Sequence, residues 1–337
     1  MSEICNLSSL SGPAFQILSG LLDEDVAATE ALLTERAASP VSVIPNLSGY
    51  IVSAGGKRLR PLITLAAAKA CGAEKMEPVH CLAAAVEFIH TATLLHDDVV
   101  DESDLRRGKP AAKNVWGNSA SILVGDFLFA RAFTLMVETG RLPVLDILSN
   151  ASSVIAEGEV HQLAVMGQLD LPTEEYLRII EAKTAALFEA ASESGAVCAD
   201  ATEAQVRAMR SYGKNLGLAF QLVDDALDYG GTTSVIGKAV GDDFRECKIT
   251  LPVVIARRRG NAEDKAFWDR ALNPDKQEES DLPHAIHLIR STGAAKDTLA
   301  EARSYVEIAK RALQDVPPSP YVDALSGLAD FCVDRAY

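Results

Sequence analysis

The chain has 337 residues, 48% of them hydrophobic and 6% aromatic, and a formal net charge of −15 at pH 7. Such a length allows one large domain or two, and the hydrophobic share excludes a disordered chain. The acidic balance excludes a nucleic-acid partner, which needs a basic surface, but not a small phosphorylated substrate whose charge is met locally.

The first residues, MSEICNLSSLSGPAF, lack the basic and apolar regions of a secretory signal, and residues 1–14 are expected to be flexible. Glu87, His90 and Asp126 interrupt the longest apolar stretches, so no membrane span is expected. Six cysteines (Cys5, Cys71, Cys81, Cys198, Cys247 and Cys332) form no CxxC pair, which suits reduced thiols in a cytoplasmic protein.

Helical periodicity and abundant alanine recur along the chain, and convincing strand alternation does not. Helices are expected near 15–36, 60–71, 79–102, 118–139, 144–167, 173–195, 202–218, 249–260 and 294–314. Breaks are expected at Gly55-Gly56, Gly108–Pro110, Gly230-Gly231 and Pro317–Pro320. In the helix near 79–102, Leu82, Val86, Ile89 and Thr93 form one stripe, while His90, Leu94, Asp97 and Asp101 run down another side. A further helical segment, GKNLGLAFQLVDDALDY, buries Leu216, Phe220, Val223 and Leu227 and places Gln221, Asp224 and Asp228 on the neighbouring face. With no repeat and no long linker, the chain reads as a single all-α domain over 1–337.

Two acidic clusters stand inside this apolar helical sequence: DDVVD at Asp97, Asp98 and Asp101, and DDALD at Asp224, Asp225 and Asp228. Four residues are slightly more than one helical turn, so Asp97 and Asp101 share a face, as do Asp224 and Asp228. Like charges at that spacing weaken an isolated helix by roughly 0.2–0.5 kcal/mol per pair. Two such clusters point to two acidic walls around metal ions. Cations accompany them: Lys57, Arg58 and Arg60 beside a glycine turn, Arg106 and Arg107 after the first cluster, Lys238 and Lys248 after the second. Magnesium takes few protein carboxylates and completes its shell with water and phosphate oxygens, while arginine and lysine grip phosphate directly. Taken singly, either acidic cluster reads equally well as a solvated helix face. His80, His96, His161 and the C-terminal-half histidines show no metal spacing and read as structural. No GxSxG, HExxH, Walker A or dinucleotide fingerprint is present.

Together GGKRLRP, LLHDDVVDESDLRRGKPA, FQLVDDALDY and GKAVGDDFRECKITLP resemble the signature segments of the trans (head-to-tail) polyprenyl diphosphate synthases, above all the bacterial long-chain enzymes that make the octaprenyl to decaprenyl tail of ubiquinone. The resemblance runs from about residue 15 to the C-terminus. It implies the isoprenoid synthase fold, a bundle of long helices around a central cavity, usually as a homodimer. It implies magnesium held by Asp97 and Asp101 with Asp98 assisting, and by Asp224 and Asp228 with Asp225 supporting. By the same resemblance, Lys57, Arg60, His90 and Arg107 bind isopentenyl diphosphate. Arg106, Lys183, Thr184, Gln221, Lys238 and Lys248 bind the allylic diphosphate, with farnesyl or geranylgeranyl diphosphate as the expected primer. Small residues upstream of DDVVD, Ala92 and Thr93, leave the chain's path open, and Phe88 is the next obstacle. The product is expected to be long, with a transient membrane contact on its release.

Two departures accompany the resemblance. Cys247 stands where the family has glycine, and the chain ends in DRAY in place of a more basic tail. A class I terpene cyclase and a non-catalytic partner subunit are the competing readings. The DDALD cluster and the GGKRLRP segment speak against the cyclase, and two intact aspartate motifs speak against the subunit.

Overall fold

The computed structural model describes residues 12–53, 58–106, 108–230 and 241–334. The N-terminal part contains α1 (Pro13–Leu21), α2 (Asp23–Arg36), α3 (Val43–Ser53), α4 (Leu59–Ala70) and α5 (Glu77–Val100). A two-residue hairpin follows, β1 (Leu105–Arg106) pairing antiparallel with β2 (Lys109–Pro110). Next come α6 (Ala112–Trp116), α7 (Asn118–Glu138), α8 (Leu142–Val165) and α9 (Thr173–Ile180), which runs through a π-turn (Glu181–Ala185) into α10 (Ala186–Cys198). The C-terminal part holds α11 (Glu203–Gly230), α12 (Asp242–Arg245), α13 (Leu251–Arg259), α14 (Ala262–Ala271), α15 (Leu282–Ser291), α16 (Ala294–Ala312) and α17 (Pro320–Asp334).

The long helices pack around α5, α10 and α11. α11 lies against α10 and α16, α5 against α4 and α7, and α10 also against α4 and α8. Both expected stripes face the core, except that Thr93 is only half-buried. Leu82, Val86 and Ile89 of α5 and Leu216, Val223 and Leu227 of α11 lie in the core, with Phe220 packed against it. The opposite side of α5, bearing His90, Leu94, Asp97 and Asp101, is only half-buried. Local signals set the helix ends. At α14 the Asn261 side chain accepts from the Glu263 and Asp264 amides, while Asp264 accepts from the Asn261 amide, a reciprocal cap. Asp23, Glu24 and Asp25 complement the positive end of α2.

Several sequence expectations need correction. The helix near 15–36 is two helices, broken at Leu22 where φ is −121°. Pro13 and Ala14, expected to be flexible, belong to α1, which packs on α17. The segments read as 202–218 and as GKNLGLAFQLVDDALDY form one helix of 28 residues, about 42 Å long at 1.5 Å per residue. The helix near 173–195 is interrupted by the π-turn. Helices α3, α6, α12, α14, α15 and α17 and the small hairpin were not anticipated. The expected break at Gly55-Gly56 lies outside the described residues, as does Gly231. Among the described residues two helices, α5 and α7, are long and apolar enough to cross a membrane. Yet α5 buries two thirds of its apolar window inside the protein, as a core helix does.

Candidate active site

The first aspartate cluster closes α5, and each carboxylate has a different setting. Asp98 is fully buried, and its Oδ1 accepts from Arg106 Nε at 2.8 Å and from Nη2 of the same side chain. Its Oδ2 is buried with no hydrogen-bond partner. Burial pushes the Asp98 carboxyl up, against the pull of Arg106. Asp101 is the C-cap residue of α5, and its Oδ2 lies 2.9 Å from Lys248 Nζ. Asp97 is held well above the usual carboxylate range, first by burial and then by the Glu159 carboxylate of α8, with Lys183 pulling the other way. Lys183 is paired with Glu159 at 2.7 Å and also donates to Gln162 Oε1.

The second cluster lies near the end of α11. Asp225 is 2% exposed and accepts from Gln221 Nε2 at 2.8 Å and from the Tyr176 hydroxyl. Burial, then Asp243, drives its carboxyl well up, and the two hydrogen bonds only partly offset this. Asp228 caps the short helix α12: its two oxygens accept from the Asp242 and Asp243 amides, each at 3.2 Å. Asp224 is half-buried on the same helix face.

Two sets of contacts tie the segments around the clusters together. Lys248 joins Asp101 to Glu246 (2.6 Å), and the Ser103 hydroxyl donates to Glu246 at 3.3 Å, tying the end of α5 to the segment after α12. On the other side the π-turn presents Lys183 towards α8 and Thr184 towards α11, where the Thr184 hydroxyl donates to Gln221 Oε1 at 2.8 Å. A π-turn widens the helix by one residue, which lets neighbouring side chains address different partners. Two glycines let the backbones close in on it. A Cβ on Gly158 would come 2.6 Å from Ala182 Cβ, and one on Gly217 would come 2.6 Å from Ala185 Cα.

A separate group lies at the start of α4. Arg60 Nη1 is 3.2 Å from His90 Nε2, and its guanidinium stacks 4.4 Å from the Phe188 ring centre. Arg58, a third cation of the same segment, is committed to structure: it donates to Glu30 and Glu87 at 2.6 Å each and to the Val52 carbonyl at 3.2 Å. Lys57, Arg107 and Lys238 lie outside the described residues.

The residues fit a divalent cation bound with anionic oxygens. Asp98 has an orphaned buried oxygen, and burial raises Asp97 and Asp225, each with a further carboxylate beside it, Glu159 and Asp243 respectively. No group of three His, Cys, Asp or Glu side chains converges on one point among the described residues. Magnesium bound through one or two carboxylates plus substrate phosphate needs no such cluster.

Cys247 is buried with φ +53°, the left-handed region that favours glycine. A cysteine holds this backbone here, and its sulfur accepts from Gln277 Nε2 at 3.4 Å. Ala92 and Phe88 are fully buried in the core, and Thr93 donates to the His90 carbonyl. Sequence reasoning missed Glu159, Gln162, Tyr176 and Glu246. None carries a local signal, because each reaches the site only through helix packing.

Comparison with known proteins agrees with this geometry. Residues 41–289 match the polyprenyl synthetase family. The chain is 44% identical to the octaprenyl diphosphate synthase of Escherichia coli over 94% of its own length and 97% of that protein. Its structure superposes on the polyprenyl synthase of Caulobacter crescentus, crystallised with calcium and isoprenyl diphosphate, with a TM-score of 0.93 and 53% identity, covering 98% of this chain and 99% of that one. For a decaprenyl diphosphate synthase of Rhodobacter capsulatus the TM-score is 0.91 at 48% identity, over 96% and 99% of the two chains.

Proposed function

The chain belongs to the polyprenyl synthetase family of prenyltransferase enzymes, and from that premise we propose that it is a magnesium-dependent head-to-tail synthase of a long all-trans polyprenyl diphosphate. The observation that carries this reading is the set of cations around the first aspartate cluster, Arg106 on Asp98, Lys248 on Asp101 and Lys183 on Glu159 beside Asp97, with Thr184 and Gln221 leading from Lys183 to Asp225 of the second. Such a set suits a diphosphate that must be bound and then expelled. The octaprenyl and decaprenyl products named for its relatives support a product of that length, and the proposed use of that product is the ubiquinone side chain.

In this reading Asp97 and Asp101 on one wall and Asp224 and Asp228 on the other hold magnesium, with Asp98 and Asp225 shaping each wall. Magnesium, when bound, supplies positive charge where the departing diphosphate becomes most negative. Arg106, Lys183, Thr184, Gln221, Lys238 and Lys248 hold the allylic diphosphate, of farnesyl or geranylgeranyl type. Lys57, Arg60, His90 and Arg107 hold isopentenyl diphosphate with its double bond towards the allylic carbon. Carbon–oxygen cleavage leaves an allylic cation. The isopentenyl double bond attacks that cation, and loss of one proton to the released diphosphate gives the lengthened allylic product. The apolar walls exclude water that would trap the cation. The lengthening chain runs along α5 past Thr93, Ala92 and Phe88.

An apolar face on α7 and α8, including Leu123 (65% exposed) and Val160 (66% exposed), supports a homodimer. The described cysteines are all free, in keeping with a cytoplasmic enzyme that touches the membrane only on releasing its product. The test is to incubate purified protein with farnesyl diphosphate, isopentenyl diphosphate and magnesium, and to size the dephosphorylated products. Octaprenyl to decaprenyl alcohols are expected; short products, or none, overturn the proposal.

A further inference from the structure

A run of hydrogen bonds leads inward from the site to a side chain outside every assignment above. The Thr184 hydroxyl donates to Gln221 Oε1, the Gln221 amide donates to Asp225 Oδ1, both at 2.8 Å, and the Tyr176 hydroxyl donates to Asp225 Oδ2. Thr184 and Gln221 are half-buried, whereas Asp225 and Tyr176 are 2% and 3% exposed. The run therefore connects groups within reach of a ligand to an anchor in the core.

We propose that Tyr176 is a positioning residue for the allylic diphosphate, a role that presupposes the function proposed above. A primary amide has nearly the same shape in its two orientations, so packing alone does not choose between them; hydrogen-bond partners do. Asp225 is fastened at both oxygens, one by Tyr176 and one by Gln221. The Tyr176 hydroxyl stops the carboxyl group from turning. The fixed carboxyl holds the amide nitrogen of Gln221, and the opposite end of that amide, Oε1, is thereby turned to Thr184. Neither side chain that faces the ligand is preorganised without the buried pair behind it. Tyr176 itself touches neither substrate nor the reacting atoms. Its side chain belongs to the buried hydrophobic core, so Tyr176→Phe removes the hydroxyl and keeps the ring.

Loss of one buried hydrogen bond corresponds to about a tenfold change in an equilibrium constant. Binding of farnesyl thiodiphosphate, an unreactive allylic analogue, is measured by calorimetry with magnesium in wild type, Tyr176→Phe, Gln221→Leu and the double variant. Kinetics with both substrates accompany it. Tyr176→Phe is expected to weaken analogue binding and raise the allylic KM about tenfold, leaving the KM for isopentenyl diphosphate within about twofold. In the Gln221→Leu background the same change is expected to have no further effect, because the route from Tyr176 to the ligand is already cut. Unchanged analogue binding in Tyr176→Phe, or an equal loss with and without Gln221, overturns the positioning role while an active wild type leaves the proposed function standing. A wild type that binds no analogue and forms no product overturns both.

Discussion

Lys248 Nζ lies 2.9 Å from Asp101 Oδ2, so a side chain that follows the second aspartate cluster neutralises the last carboxylate of the first. Burial alone would push this ammonium group down. Asp101, Glu246 and Asp243 more than offset it and hold its pKa above the usual lysine range. The bridge fastens the end of α5 to the segment that follows α12.

Lys248→Met should therefore do two things at once. Asp101 and Glu246 lose their shared cation, costing about 1–3 kcal/mol of stability, and the allylic KM rises. Thermal melts show the first effect and steady-state kinetics the second. A lowered Tm with an unchanged allylic KM removes Lys248 from the diphosphate site.

Asp97→Ala and Asp224→Ala should each lower turnover by about a hundredfold or more, since each removes charge aimed at the departing diphosphate. Both residues are half-buried, outside the hydrophobic core, so the helical circular-dichroism signal should persist. Near wild-type turnover at saturating magnesium in either variant contradicts the two-wall arrangement.

At position 247 the backbone conformation makes the order of variants predictable. A left-handed φ costs a non-glycine residue roughly 1–2 kcal/mol, and β-branching adds to that. Cys247→Gly should leave Tm within a few degrees of wild type, because relief of strain offsets the lost packing of the sulfur. Cys247→Val should lower it clearly. Equal Tm values for the two variants contradict the left-handed backbone.

Product length should respond to Ala92→Tyr. One helical turn is roughly 5.4 Å, comparable to one prenyl unit. A ring at this buried position of α5 should stop elongation at about fifteen or twenty carbons, with condensation itself retained. Chromatography of the dephosphorylated alcohols gives the answer, and an unchanged distribution means that the chain takes another route.

Remote from the site, Asp281 supplies a pH test of the fold. Its carboxyl is held below the ordinary range, chiefly by hydrogen bonds from Arg270 and also by the Glu278 amide. A depressed folded-state pKa stabilises the protein above the unfolded value of about 3.9 and loses that contribution as pH falls through the folded value. Wild type should therefore exceed Asp281→Asn in stability by a constant margin at neutral pH. That margin should shrink below about pH 5 and vanish in strong acid. A margin that persists in acid assigns the effect to packing.

The faces of α5 and α11 were legible in the sequence because both helices are amphipathic over many turns, and their aspartates fall where periodicity puts them. The join of two read segments into the single helix α11 was obscured by Gly213 and Gly217, which break a pattern locally but in three dimensions admit close neighbours. The π-turn was illegible for a related reason: EAKTAALFEA satisfies an α-helical template, and only contacts with Gly158 and Gly217 show where the extra residue goes. Arg58 looked equivalent to Arg60 in GGKRLRP, yet its partners Glu30 and Glu87 lie on other helices. Glu159 and Tyr176 reach the aspartates across helix interfaces, which spacing along one segment cannot encode.

The extra residue in the π-turn also sets a phase. Each residue of an α-helix turns the chain by about 100°, so removing one from Glu181–Ala185 would leave a regular, intact helix. Everything upstream, including Tyr176, would then be rotated by about that angle relative to Phe188 and the rest of α10. The segment would lose little helix and all of its aim. This stretch of chain is therefore far more sensitive to a change in length than to a change in any one surface side chain.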